Sequence, residues 1–293
     1  HQLPFDHSGT MNDLGNLDLL ATTGYPPLGL EEQKLIECLR DMVKEKASKN
    51  FKPLLDELFL YKFLKAKKFR LDDAFSLMMN FYSSRKIDPE VLGPINRGPK
   101  DYSHIYEMKM WTVLKTRNPI DQSAVVICRA GDWSPESGLD YFKLATPMMF
   151  MANLITDDPA VQEHGTSVIL DFTGIKASWV TYYIPPSSLS KIVQTIQNGF
   201  PARLRRVHLL YQPFIYNVLY ALARPIVRQK NREKVVLHGS YLEQLHEYVD
   251  PSILPTEYGG FAGSLEDSRQ WFFDKLYERH ELYLAKSYYG YLV

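Results

Sequence analysis

Four short β-branched runs, at residues 124–129 (AVVICR), 167–171 (SVILD), 207–211 (VHLLY) and 234–237 (KVVL), constrain this chain more than any other feature. Apolar segments with helical patterning, at 139–155, 186–198 and 214–224, lie between them. Apolar strands spaced by helix-length segments imply βα units and a largely parallel sheet. An α/β body is therefore expected from about residue 100 onward.

The stretch before it has a different period. In EEQKLIECLRDMVKEK (31–46), Leu35, Ile36, Leu39, Met42 and Val43 fall on one face of an amphipathic helix. DELFLYKFLKA (56–66) and LDDAFSLMMNFYSSRK (71–86) continue the helical pattern, and Asp88-Pro89 ends it. Gly93, Pro94, Gly98 and Pro99 then mark a linker. The expected divisions are a tag remnant or flexible N-terminus (1–27, with Met11 as natural start), a helical domain (28–92), the α/β domain (100–263) and an extension (264–293). Within that extension, residues 271–293 are dense in Tyr and read as a helix or a tail packed on the surface.

Charge and motif content narrow the function. Thirty-four Lys and Arg balance 34 Asp and Glu, which argues against nucleic acid, since phosphate binding leaves a basic excess. Cys38 and Cys128 are the only cysteines, so neither a disulfide framework nor a thiolate metal site is expected, and a reducing cytosol is. Residues 209–227 are apolar, yet Gln212, Pro213, Asn217, Arg224 and Pro225 interrupt them, which a bilayer core penalises. No G-x-S-x-G elbow, dinucleotide or Walker loop, or H-E-x-x-H helix is present, so no catalytic residues are expected. His238 and His246 lack a third ligand nearby, and no metal is expected there.

Four segments, in order, resemble the CRAL-TRIO family of lipid carriers. LYKFLKAKKFRLDDAFSLMMNFYSSRK is similar to the family's N-terminal helical motif, with Lys62, Lys65 and Lys67 where arginines are usual. GTSVILDFTG is similar to its central strand and Asp-x-x-Gly turn, and FPARLRRVHLLYQPFIYNVL to its aromatic-proline, basic, strand, proline, helix segment. LHG followed by DPSILPTEYGG matches the closing motif, the most specific of the four. The likeness runs from about Glu31 to about Phe273. It implies a helical N-terminal domain followed by an α/β domain with a mostly parallel sheet and a helical gate. It also implies carriage without covalent chemistry or cofactor: one apolar lipid (tocopherol, a retinoid, a carotenoid or a similar isoprenoid) held in a closed pocket and transferred at phosphoinositide-containing membranes by a cytoplasmic, peripherally bound monomer. The alternative is a phospholipid- or phosphoinositide-sensing module that recruits a protein partner. Two positions depart from the pattern. Tyr211 stands where Asn is common before the gate, and Ala202 stands where inositol-binding members place an acid, although the basic Lys234 is kept. A basic group without its acid favours a lipid lacking that headgroup.

The resemblance also gives roles to particular residues. The segment with Phe142, Ala145, Thr146, Met148, Met149 and Phe150 is apolar all round; taken alone this describes a buried core helix, and in the family it becomes a pocket wall. Its expected partners are Phe172, Ile192, Thr195, Ile196, Phe200, Phe214, Val218 and Leu222. Between Phe200 and Gly239 lie eight cations against the single acid Glu233, flanking the apolar run 214–223, the layout of a membrane-docking surface. By resemblance to the tocopherol carrier, Lys65, Lys67, Arg203, Arg205, Lys230 and Lys234 are the expected phosphoinositide contacts. Pro213 and Pro225 bound the gate as hinge ends.

Overall fold

The helical start forms because apolar residues recur at helical spacing and the helix ends are capped. A computed structural model describes residues 16–84 and 96–291. Helix α1 (Leu30–Lys44) buries Ile36, Leu39 and Val43. Helix α2 (Glu57–Ala66) starts where the Asp56 carboxylate accepts the Phe59 N–H at 2.8 Å. With α3 (Leu71–Ser84) they enclose a core of Leu39, Leu60, Phe63, Leu64 and Met78, in which Phe59, Phe63 and Phe81 meet edge to face. Residues 85–86, Asp88-Pro89, Gly93 and Pro94, where the sequence placed the helix end and linker, lie outside the described residues.

The α/β body is a five-stranded sheet. Strand β2 (Trp111–Val113), which the sequence reading did not anticipate, runs antiparallel to β3 (Ala124–Arg129). Then β4 (Thr166–Asp171), β5 (Leu204–Leu210) and β6 (Val235–Gly239) follow in parallel, in the order β2-β3-β4-β5-β6. Strand β5 begins three residues earlier than its apolar run suggested, because Leu204 and Arg206 already pair with Thr166 and Ser167. On one side stand α5 (Tyr141–Thr156), α7 (Ala177–Tyr183), α8 (Leu189–Asn198) and α9 (Phe214–Ala223), after the short α4 (Ser103–Tyr106) and with α6 (Pro159–His164) leading into β4. The other side is closed by the chain after β6, including α11 (Leu242–His246), which follows the single turn α10 (Gln229–Arg232).

The C-terminal stretch is not a surface tail. It forms α12 (Leu265–Glu278), α13 (His280–Ser287) and β7 (Gly290–Tyr291), and buries Phe272, Leu276 and Tyr283 in the main core. Strand β7 pairs antiparallel with β1 (Phe51–Lys52) of the helical domain. Its tyrosines are therefore spent on joining the parts of the molecule. The same is true of Lys62. It is not a surface cation but is buried against Asp157, which also accepts the Tyr283 hydroxyl at 3.0 Å and lies 3.8 Å from Arg279. Burial lowers the Lys62 pKa and Asp157 opposes that shift. A cation held this deep needs such a partner.

Candidate functional site

In a strand, alternate side chains leave opposite faces, so register decides which residues share a surface. Pairing across the sheet aligns Val126, Val168, Val207 and Val235 in one row and Cys128, Leu170, Leu209 and Leu237 in the next, on the same face. Strand β4 sits at the centre of the sheet, and a sealed α/β body would bury both its faces. Instead Ser167, Ile169 and Asp171 are buried while Thr166, Val168 and Leu170 stay partly accessible. Val207 and Val235 behave likewise, and on the edge strand Leu237 is 52% exposed. Val126 and Leu209 in the same two rows are buried, so the helices stand off this apolar face only over Val168, Leu170, Val207, Val235 and Leu237. None of these strand residues was among the sequence candidates, because a short apolar run does not say which parity faces which layer.

The helical candidates divide among several surroundings. Phe172 continues the accessible parity of β4, and its ring lies 5.9 Å from that of Tyr216 on α9. On α5, Phe142 is half-buried under the Lys191 ammonium (5.4 Å), Met148 packs with the main core, and Ala145 is buried. Thr146 and Phe150 belong elsewhere: Thr146 hydrogen-bonds Tyr102, and Phe150 stacks on Tyr283 at 5.8 Å. Met149 and Phe200 are taken into the N-terminal core, Phe200 beside Phe81. Ile192 is buried, Ile196 is 59% exposed, and the Thr195 side chain lies outside the described residues.

Helix α9 has the expected bounds but not the expected orientation. Phe214, Val218 and Leu222 were placed as pocket lining, yet they are 81%, 42% and 51% exposed. Spaced four apart, they form one outward stripe, while Leu219 and Ala223 are buried and Tyr216 and Tyr220 lie on the inner side. The entry to this helix is strained: Tyr211 has φ 55°, a left-handed value costly for a side chain with Cβ, and the Gln212 Oε1 is buried with no partner among the described residues. Behind the helix Gln197 joins α8 to the next segment, donating to the Ile226 carbonyl (3.3 Å) and accepting from the Arg228 N–H (2.9 Å) and Asn231 (3.1 Å).

The cations do gather beside this helix, though unequally free. Burial lowers the Lys67 pKa, and Arg228 and Lys230 lower it further. Lys234 is lowered in the same way, first by burial and then by Lys230, Arg203 and Arg205, so Lys230 links the two groups. Lys65 is ion-paired with Glu163, Arg203 donates to the Glu163 carbonyl, Arg205 meets Asp121 at 3.1 Å, and Lys234 donates to the Leu204 carbonyl at 2.6 Å. Arg232 caps the segment that follows α9 through the Arg224 and Val227 carbonyls (2.9 and 3.2 Å).

The CRAL/TRIO domain signature matches residues 112–260, about half the chain. This chain belongs to the CRAL-TRIO family. It is 32% identical over 237 residues to alpha-tocopherol transfer protein-like of Homo sapiens, covering 80% of this chain and 67% of that protein. It is 26% identical over 225 residues to clavesin-1 of Rattus norvegicus, covering 77% and 62%. The crystal structure of Sfh5 shares the fold, with a TM-score of 0.53 at 14% identity over 87% of this chain and 99% of that one.

The closing motif and the central strand with its Asp-x-x-Gly turn are joined physically. The Tyr258 hydroxyl of the closing motif donates to Asp171 Oδ2 at 2.7 Å, while Asp171 Oδ1 accepts from the Thr173 N–H and hydroxyl at 2.9 and 2.6 Å. Gly260 is required there, since a Cβ would lie 2.0 Å from the Leu254 carbonyl oxygen. A separate cleft of about 470 Å³ between Lys109, Arg129, Asp132, Glu257, Glu266 and Arg269 is polar, with three cations facing three acids. The candidate pair His238 and His246 is not formed: His238 Nε2 meets His208 Nδ1 at 2.9 Å, and His246 meets the Tyr258 carbonyl at 2.9 Å. Among the described residues no group of three or more His, Cys, Asp or Glu could hold a metal ion, and no helix is long and apolar enough to cross a membrane.

Proposed function

We propose that this CRAL-TRIO protein binds one apolar lipid against the accessible sheet face and exchanges it at anionic, phosphoinositide-containing membranes, without bond-making chemistry. The observation that supports this reading is an apolar central strand left partly accessible behind a helix whose outer stripe, Phe214, Val218 and Leu222, is itself apolar and exposed. A lipid of about fifteen CH₂ groups loses on the order of 12 kcal/mol on entering water, at ~0.8 kcal/mol per group. Docking first lets the ligand pass between two apolar surroundings. The stripe would enter the interface, and Lys67, Arg203, Arg228, Lys230 and Lys234 would meet lipid phosphates, each for about 1 kcal/mol. Tocopherol, retinoids, carotenoids and related isoprenoids suit a surface of Val, Leu and Cys.

The test is transfer of NBD-labelled tocopherol from donor to acceptor vesicles with and without phosphoinositide. The protein should accelerate transfer, and more so with phosphoinositide. Phe214→Glu with Leu222→Glu should abolish the acceleration while leaving the melting temperature nearly unchanged. No acceleration by the wild type would overturn the reading. A variant as fast as wild type would remove α9 from it.

A further inference from the structure

The two edges of the sheet are finished differently. At β2, Trp111, Thr112 and Val113 are all buried, and the chain at 17–19 runs along the residues that follow them. There the Leu19 N–H donates to the Lys115 carbonyl at 2.7 Å and the Arg117 N–H to the Leu17 carbonyl at 2.8 Å. Strand β6 is the last in the order, so its outer backbone has no strand partner among the described residues. Val235 and Val236 are half-buried and Leu237 is 52% exposed. An open apolar edge invites pairing or aggregation, and proteins normally cover it or charge it. At Leu237 the edge does neither.

This edge is continuous with the outer stripe of α9. Leu237 pairs across the sheet with Leu209, two residues before Tyr211, and the Tyr211 N–H donates to the Gly239 carbonyl at 2.8 Å. Tyr241, whose N–H donates to the His238 carbonyl at 3.1 Å, stands at the same end of β6. Tyr211 and Tyr241 are both exposed, and Phe214, the most exposed residue of the α9 stripe, follows Tyr211 by three positions. Seven of the thirteen large apolar or aromatic residues that stand exposed among those described fall between Ile196 and Tyr241, so the clustering is not general surface composition. The cations Arg203, Lys230 and Lys234 belong to the same stretch of chain. Apolar and tyrosyl side chains flanked by Lys and Arg suit the boundary between lipid headgroups and acyl chains, whereas the core of a protein interface is depleted in lysine.

We infer that the membrane-facing surface runs from α9 across Tyr211 to the open edge at Leu237 and Tyr241, and that its occupant is an anionic bilayer. The inference rests on the proposed docking of α9 and adds the edge strand to it. It also gives the lipid a way in. Val168, Val207 and Val235 form one partly accessible row that ends at this edge, so a lipid can slide from the bilayer sideways onto the sheet.

The experiment places an NBD fluorophore on single cysteines, Val218→Cys, Leu237→Cys, Tyr241→Cys and Phe261→Cys, in a Cys38→Ser background, since Cys38 is exposed. Burial pushes the Cys128 thiol up to about 12, which keeps it out of the labelling reaction. Vesicles of phosphatidylcholine with phosphatidylserine should blue-shift the α9 probe and both edge probes. The Phe261 probe, exposed on the chain that covers the back of the sheet, should stay unchanged. Tyr241→Asp adds one acid at the surface and should slow transfer of NBD-labelled tocopherol between such vesicles about fivefold, with the melting temperature unchanged. Edge probes unshifted beside a shifted α9 probe overturn the inference while docking through α9 stands, and so does transfer by Tyr241→Asp at the wild-type rate. A Phe261 probe that shifts equally shows adsorption without orientation and overturns it as well. Edge probes that shift with rising protein concentration and no vesicles give the edge to a second copy, which again overturns it. If no probe responds, that on α9 included, the docking reading fails and the edge with it.

Discussion

On the back of the sheet, Val125, Ile127, Ile169 and Leu210 meet Leu245, Val249, Ile253 and Leu254, and all are buried. On the front, one residue away in the same strands, Val168 and Leu170 remain partly accessible, as do Val207 and Val235 on their neighbours. The two faces are equally apolar, so hydrophobicity does not separate core from ligand surface. Packing partners do. The back is covered by a segment that follows β6 directly and is locked down by the Tyr258–Asp171 hydrogen bond, whereas the front faces helices of which α9 spends its own apolar stripe on solvent.

The largest effect that follows is on stability. Ile169→Ala should cost about 2–5 kcal/mol by leaving a void in a sealed face, whereas Val168→Ala should cost under about 1 kcal/mol. Urea unfolding of the two variants measures this. Equal losses would mean the faces are packed alike.

Acid should act on the back face in particular. His208 and His238 are buried in contact, with ring centroids 5.2 Å apart. Burial first, then His238, lowers His208 to about 4, and burial lowers His238 as well. The folded state therefore binds fewer protons than the unfolded state between the ordinary His pKa of about 6.5 and about 4. Stability from this pair is fully present above about 6.5 and is lost as pH falls through that window, by roughly 3 kcal/mol for His208. Chemical denaturation from pH 7 to 4 should be steeper for wild type than for His208→Gln. Identical pH profiles would show that the back face tolerates the charge.

The sequence disclosed the elements better than their surfaces. The 3.6-residue pattern of α1 to α3, the four parallel strands and the bounds of α9 were legible because each is a local repeat or a motif. The three-residue strand β2 and the role of α12 and α13 were not, since both depend on distant partners. At the site, Arg203, Arg205, Lys230 and Lys234 were readable as a charge run, and Lys67 only through the family resemblance. The front-face residues were not, because a one-residue shift of register would exchange Val168 for Ile169. The outward turn of Phe214, Val218 and Leu222 was missed for a related reason: α9 is apolar on both sides, so its composition cannot say which side meets the sheet.

A smaller effect sits at Tyr211, where β5 leads into α9. Tyr211→Gly should relieve the left-handed backbone and raise stability by about 1 kcal/mol, read as a higher melting temperature. A loss of stability instead would show that contacts of the Tyr ring outweigh the strain.

The central claim is that the front of the sheet is a lipid surface rather than loosely packed core. Leu170→Trp tests it most directly, by filling the space over the central strand while leaving α9, its cations and the back face unaltered. After incubation with phytol, native mass spectrometry should find one lipid on wild type and none on Leu170→Trp, with the variant still folded. One lipid on both proteins would place the ligand elsewhere and contradict the account.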